Sequence, residues 1–202
     1  ASVYFAAGRS PFLDGGIHLY RLDLGTGAKL AENVVREPKE WSTGESLLSR
    51  CGPNDVLSFS GGKLYMQHLA FETDQLARTK PEPHLMSTIG FLDDSWWHRS
   101  YWLLSSDFQQ GWGGWLRAGN AAPSGRILVF DAGSVYGFGR NFYPSGSTAQ
   151  WAKGEKYVLF ATLKPRNKLW SRHAPVMVRA MAQAGRTLYL AGPVAIDESR
   201  DD

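Results

Sequence analysis

The sequence predicts an all-β protein made of small, repeated antiparallel sheets. Short segments rich in β-branched and aromatic residues recur along its 202 residues, with turn-forming Gly, Asp and Ser between them. No segment has the apolar period of a long helix. Three segments share a turn, one or two spacer residues, an apolar residue and a tyrosine. Such repetition is typical of architectures in which each unit needs neighbours to cover its apolar face.

Composition indicates a folded protein and excludes several classes of function. The chain is 43% hydrophobic and 20% charged, with a net charge of +3, which argues against disorder. Its basic residues are scattered, whereas nucleic-acid binding needs a basic stripe, so no nucleic-acid partner is predicted. The single cysteine, Cys51, excludes an intrachain disulfide and a cysteine-based zinc site. No apolar run approaches the roughly 18 residues of a membrane span, so none is predicted.

The first half of the chain predicts hairpins. Residues 17–23 alternate apolar and polar side chains, the pattern of a strand with one buried face. Gly25 and Gly27 favour a turn after it, because glycine adopts positive φ without strain. Gly61-Gly62 predicts a two-residue hairpin turn of a primed type. The predicted elements are strands over 2–8 and 17–24, a strand that starts at 28–31, hairpin strands over 56–60 and 63–69, and a charged loop over 71–83.

The second half continues the same rhythm after Pro123. Residues 176–184 fit either a helix or a strand. A strand is favoured, because Gly185-Arg186 and the strand-like residues after it repeat the hairpin pattern. The predicted strands are 125–130, 135–139, 157–161, 169–172, 176–184 and 187–191.

The repeated hairpins match the pattern of propeller blades. The motif of turn, apolar residue and tyrosine recurs at 60–66, 131–137 and 184–190, although unrelated hairpins also converge on it. The predicted fold is a partial β-propeller of about three to four blades. It forms one segment over 1–202, with an aromatic-rich insert at 84–123. Because both ends of the sequence lie close to strand-like segments, we expect a further segment or a partner chain to complete the propeller.

Residues 19–30, which read LYRLDLGTGAKL, resemble the repeat of pyrroloquinoline-quinone-like β-propellers. The final Trp of that repeat is not matched, because Ala31 and Glu32 follow Leu30. Residues 91–142 contain SWWHRSYW and GRILVFDAGSVYGFGR and resemble large propeller proteins of planctomycete-type bacteria. The resemblance implies a non-enzymatic binding or scaffold module of an extracytoplasmic bacterial protein, located in the periplasm or at the cell surface.

The same resemblance leaves an enzymatic alternative. The family includes dehydrogenases that stack a quinone between a Trp and a ring of vicinal cysteines, above a calcium ion. This chain has one cysteine, so a quinone cofactor is not expected. The alternative is a part of a quinoprotein-like oxidoreductase or of a carbohydrate-active enzyme whose active site is completed elsewhere. No catalytic residue is predicted within the chain.

The aromatic-rich insert supplies the candidate site residues. Asp93 and Asp94 are candidate ligands for calcium, because carboxylate oxygens suit a hard cation, and no other cofactor is predicted. The alternative is an Asp-capped turn followed by aromatic residues that pack on the propeller. The candidate binding residues, which would present rings and charges to a glycan or a protein partner, are Trp96, Trp97, His98, Arg99, Trp112 and Trp115. Trp112 and Trp115 lie among glycines, which suits packing in a tight loop as well as sugar stacking.

Substitution separates the packing role from the binding role. We expect Trp96→Ala or Trp97→Ala to remove core packing and to lower the free energy of unfolding by about 3–5 kcal/mol. Thermal unfolding of each variant measures this as a lower melting temperature. An unchanged melting temperature with loss of ligand binding would instead place these indoles on a binding surface.

Overall fold

The structure of the chain, a computed structural model, describes residues 1–36, 56–87, 102–106, 122–140, 157–163 and 167–195. In this part of the chain every regular element is a β-strand, so the predicted all-β class is confirmed. The described strands form several small antiparallel sheets and do not close into a barrel or a ring.

Each sheet is built from strands that are consecutive in the sequence, and each strand pairs with the next one in its sheet. Sheet 1 contains β1 (Ser2–Ala7), β2 (Ile17–Asp23) and β3 (Lys29–Val35). Sheet 2 contains β4 (Leu57–Ser60), β5 (Lys63–Met66), β6 (Leu69–Glu72) and β7 (Arg78–Thr79). Sheet 3 contains β8 (His84–Ser87), β9 (Trp102–Ser105) and β10 (Ser124–Gly125). Sheet 4 contains β11 (Ile127–Phe130), β12 (Ser134–Arg140), β13 (Tyr157–Leu163) and β14 (Asn167–His173), and sheet 5 contains β15 (Ala180–Ala184) and β16 (Thr187–Ala191).

The three repeated hairpins are confirmed as β4–β5, β11–β12 and β15–β16. In the first of them Gly61 and Gly62 have φ of 57° and 78°, the positive values that a primed two-residue turn requires. Gly185 occupies the same place in the last hairpin, with φ of 57°. The strand prediction is also confirmed for 180–184, where a helix was the alternative.

Several regions differ from the predicted elements. The expected strand over 63–69 is divided by a turn at Gln67, where φ is 51°, so that β5 ends at Met66 and β6 begins at Leu69. The expected loop over 71–83 contains the end of β6 and all of β7, and it buries Leu76 completely. The strand β6 lacks the alternation of apolar and polar residues that predicts a strand, because its apolar residues are buried on both faces of the sheet. The expected insert over 84–123 supplies β8 and β9, which form sheet 3 with β10.

Sheet 1 packs on sheet 2 through the larger apolar core. Alternate residues of β2, Ile17 and Leu19, are fully buried there, as the period-two pattern predicts. The buried residues of this core are Ile17, Leu19, Val35, Leu64, Met66, Leu69, Phe71 and Leu76.

The same junction carries one hydrogen bond from each strand of sheet 1. All three end on carbonyl oxygens in the turn between β6 and β7. Tyr4 Oη donates to Thr73 O at 2.9 Å and Arg21 Nη1 donates to Asp74 O at 2.8 Å. Asn33 Nδ2 donates to Leu76 O at 2.5 Å, and Leu76 itself adopts a φ of 56°. The turn between β6 and β7 is therefore held in place by the buried side chain of Leu76 and by three hydrogen bonds from sheet 1.

Sheets 2 and 3 meet at a buried histidine. The ring of His84 is fully buried and stacks on Tyr65 of β5, with 3.6 Å between the ring centroids. Its Nδ1 lies 2.7 Å from the carbonyl oxygen of Glu82, and its Nε2 lies 2.6 Å from that of Gln67. Carbonyl oxygens only accept, so both contacts are hydrogen bonds when both ring nitrogens carry hydrogen. His84 is thus a structural link between neighbouring sheets.

Sheets 3 and 4 share a second apolar core. Gly137 lies at its centre, and a Cβ there would overlap the ring of Phe160. Sheet 5 follows, with β15 in contact with β11 and with Gln183 Nε2 donating to Asp131 Oδ2 at 2.8 Å. The buried residues of the second core are Leu104, Leu128, Val135 and Phe160, and Leu85 packs against them.

Two phenylalanines of sheet 2 test the first core. Phe71 is fully buried, whereas Phe59 lies on the same face of the sheet and is 67% exposed. We expect Phe71→Ala to lower the free energy of unfolding by about 3–5 kcal/mol. The matched control, Phe59→Ala, should cost about 0.5 kcal/mol or less. Urea unfolding measures both, and equal losses would contradict this core.

Candidate functional site

The candidate residues from the sequence lie outside the described part of the chain, so their predicted roles stay predictions. This holds for the calcium candidates and for the aromatic and charged binding candidates alike. These residues are Asp93, Asp94, Trp96, Trp97, His98, Arg99, Trp112 and Trp115.

Within the described residues, His, Cys, Asp and Glu side chains form no group of three or more that could hold a metal ion. No helix in that part of the chain is long and apolar enough to cross a membrane. His84 offers no nitrogen to a ligand, because both ring nitrogens face backbone carbonyls inside the protein.

The described residues do present an aromatic surface on sheet 1. We use "outer face" for the side of this sheet that points away from sheet 2. Phe5 and Tyr20 lie directly opposite each other on β1 and β2, and their rings stack with 5.1 Å between centroids. Val3 and Leu22 form the next pair on the same side. Phe5 is 39% exposed and Val3 is 40% exposed, so this apolar surface is open to solvent.

A polar group borders the rings of the outer face. Glu32 on β3 lies directly opposite Tyr20, and its Oε1 lies 2.8 Å from His18 Nδ1. Its second oxygen, Oε2, accepts a hydrogen bond from Lys29 Nζ at 2.7 Å. His18 stacks on Tyr20 at 5.9 Å, and Lys29 Nζ lies 6.0 Å from the centre of the same ring. Four side chains on two strands thus form one connected group beside the aromatic pair.

The charges in this group follow from its hydrogen bonds. The bonds from Lys29 and His18 lower the pKa of Glu32 from 4.5 to about 2. Glu32 is therefore a carboxylate at all physiological pH values. The same contact raises the pKa of Lys29. Desolvation and the nearby Glu32 carboxylate raise the pKa of Tyr20, which keeps its hydroxyl protonated.

This arrangement is suited to binding. Two stacked rings and two aliphatic side chains form a flat apolar surface, and exposed apolar patches with a polar border are typical of interaction sites. The border supplies an ionised acceptor in Glu32 and a cationic donor in Lys29. These groups already satisfy one another, so they orient and frame the surface without leaving an unpaired charge.

A second apolar surface lies on sheet 5. Met181 and Leu190, a directly opposed pair, are half-buried on the side that carries Gln183. The opposite side is exposed, with Ala182 paired to Tyr189, and Tyr189 is 59% exposed. The other members of this exposed side are Ala180, Ala184, Thr187 and Ala191.

Comparison of the chain with protein-family models, with curated proteins and with solved structures found no match. The functional argument therefore depends on the surfaces themselves.

One feature of the sequence indicates the apolar outer face of sheet 1. Apolar residues occupy every position of β1 after Ser2, so both sides of this strand are apolar. A strand with one solvated face would alternate with polar residues. Phe5 and Tyr20 are not among the binding residues predicted from the sequence, which all lie in the aromatic-rich insert.

The Glu32 group makes a testable pH prediction. Because the folded-state pKa of Glu32 is depressed, its stabilisation is present above about pH 4.5 and is lost as pH falls towards 2. We expect Lys29→Met to raise this pKa and to reduce the acid-dependent loss of stability. The carboxyl ¹³C chemical shift of Glu32, followed as a function of pH, measures its pKa.

The matched control is Lys63→Met, which removes the partner of Glu82 in sheet 2. It should raise the pKa of Glu82 and leave that of Glu32 unchanged. An unaltered Glu32 titration in Lys29→Met would show that the lysine does not hold the carboxylate.

Proposed function

We propose that this chain is a non-enzymatic binding or scaffold module, built as part of a β-propeller in an extracytoplasmic bacterial protein. Its partner is a protein that covers the outer face of sheet 1 with a β-sheet of its own. The observation that carries the proposal is the stacked Phe5–Tyr20 pair, in which Phe5 is exposed, with Val3 and Leu22 beside it on the same face.

The order of packing supports the propeller part of the proposal. Sheet 1 packs on sheet 2, sheet 2 meets sheet 3 at His84, and sheet 3 packs on sheet 4. Sheet 5 then contacts sheet 4 through β15 and β11. Small antiparallel sheets of consecutive strands, each in contact with the next along the chain, are the units from which propellers are made.

The burial of sheet 2 supports a protein partner in particular. Tyr65 and Met66 are neighbours on β5 and point to opposite faces, yet both are almost completely buried. A sheet with neighbours on both sides therefore uses both faces. On the outer face of sheet 1, the apolar side chains of Val3 and Phe5 are exposed. A further sheet on that face would give sheet 1 the environment that sheet 2 already has.

Native mass spectrometry of the protein isolated from its source tests the proposal. We expect the native mass to exceed the mass of the same polypeptide under denaturing conditions, because a partner covers the outer face. Phe5→Asp places a charge on that face and should abolish the difference. Leu24→Asp is the matched control, since Leu24 is 65% exposed in the turn after β2.

Equal native and denatured masses for the unaltered protein would overturn the proposal. Loss of the partner in both variants would contradict binding at the outer face, because the acidic substitution would then have the same effect away from that face.

A further inference from the structure

We propose that Asp14-Gly15 is a modification site, at which the folded chain forms isoaspartate spontaneously and so lengthens the turn between β1 and β2. The inference goes beyond the proposed binding function, because it concerns the covalent chemistry of one turn. Asp14-Gly15 is the only Asp-Gly pair in the sequence, which contains no Asn-Gly pair. A glycine after aspartate favours this reaction, since no side chain shields the backbone nitrogen that attacks the carboxyl group.

The two residues form the centre of a tight turn. Gly16 N donates to Leu13 O at 3.0 Å, which closes the turn across the pair. Asp14 and Gly15 have φ of 53° and 87°, and positive values at both central positions are those of a type I′ turn. Arg36 Nε donates to Gly15 O at 2.6 Å and holds the peptide group after Gly15. Within the described residues the N–H of Gly15 donates no hydrogen bond, so its nitrogen is available to the carboxyl group.

The carboxylate of Asp14 has weaker contacts than those of two other described aspartates. Its side chain is 70% exposed, and Oδ2 lies 3.9 Å from Arg9 Nη1, which is beyond hydrogen-bond distance. Asp23 accepts three hydrogen bonds within its own turn. Asp131 accepts two within its turn and one from Gln183. Those bonds must break before either carboxyl group can rotate towards the next backbone nitrogen, whereas Asp14 has no such bond among its described contacts.

The reaction conserves atoms and needs no oxidant or other reagent. Gly15 N bonds to Cγ of Asp14, and the carboxyl hydroxyl leaves with the amide hydrogen as water, which gives a cyclic imide. Water then adds to one of the two carbonyl carbons of the imide. Opening at Cγ restores aspartate, whereas opening at the backbone carbonyl carbon leaves the main chain running through Cβ and Cγ. One water is released and one is consumed, so isoaspartate has the same mass as aspartate.

The longer main chain of isoaspartate has little room beside this turn. A Cβ on Gly8 would lie 2.7 Å from Gly16 O, and a Cβ on Gly16 would lie 2.5 Å from Val35 O. The backbone at Gly16 is therefore already in close contact with the chain after β1 and with the end of β3. An added carbon atom in the turn displaces Gly16 towards one of these neighbours, so we expect the isoaspartate form to have a lower melting temperature.

Incorporation of heavy oxygen tests the site. The whole folded chain is incubated at neutral pH in H₂¹⁸O, returned to ordinary water and digested with trypsin. Passage through the imide introduces ¹⁸O, and fragmentation in the mass spectrometer distinguishes isoaspartate from aspartate. We expect ¹⁸O and an isoaspartate isomer in peptide 10–21, which contains Asp14. The matched controls are peptides 22–29 and 127–140, which contain Asp23 and Asp131 and should remain unlabelled.

Two variants at Asp14 test the chemistry. Asp14→Glu keeps the charge but would need a larger ring to reach an imide, so labelling of peptide 10–21 should be lost. Asp14→Asn reaches the same imide with ammonia as the leaving group and should be labelled several-fold faster. Circular dichroism establishes that each variant is folded.

Three outcomes would overturn the proposal. They are an unlabelled peptide 10–21 in the unaltered chain, labelling that begins only after unfolding in urea, and equal labelling of the two control peptides. Thermal unfolding of the isoaspartate form, separated by chromatography from the unmodified chain, tests the effect on the turn. An unchanged melting temperature would overturn the inference that the longer turn is displaced against its neighbours.

Discussion

A sheet of two to four strands has two faces and can bury neither of them by itself. The rest of this structure depends on that constraint. Sheet 1 covers one face of sheet 2, and the burial of Leu19, Phe71 and Leu76 follows from that contact. Three hydrogen bonds from sheet 1 to the turn between β6 and β7 then fix how the two sheets are aligned. Apolar area supplies the driving force, whereas these polar contacts select one arrangement among many that would bury similar area.

Position in the series of sheets explains the residue patterns. Sheet 2 has a sheet on each side, so Leu69, Ala70 and Phe71 are all buried and read as a continuous apolar run. On sheet 5 the burial alternates, because only one side contacts sheet 4. The junction between sheets 2 and 3 requires a polar side chain in the interior, because the backbone carbonyls of Glu82 and Gln67 both point into it. The two ring nitrogens of His84 lie against these two carbonyls, and the ring of Tyr65 stacks on the histidine ring.

The sequence predicts local features well and distant contacts poorly. The Gly61-Gly62 turn and the alternation in β2 depend on neighbouring residues, and both are confirmed. β7 and the buried Leu76 depend on sheet 1, which lies more than forty residues earlier in the chain, and the sequence predicted a loop there. The stacking of His84 on Tyr65 likewise joins two sheets, and no local spacing indicates it. The candidate surface follows the same rule, because exposure of Phe5 depends on what covers the sheet.

Interior contacts and exposed faces have different consequences for function. His84 and the turn at Leu76 are occupied by contacts within the chain, so they hold the sheets together and leave nothing for a ligand. Phe5 and Tyr20 stack on each other, and Phe5 is 39% exposed. The hydrogen bonds that define the border come from residues of sheet 1 alone, since Glu32, His18 and Lys29 lie on β2 and β3. These side chains are therefore ordered by contacts within sheet 1, and a ligand of this surface would not have to order them on binding.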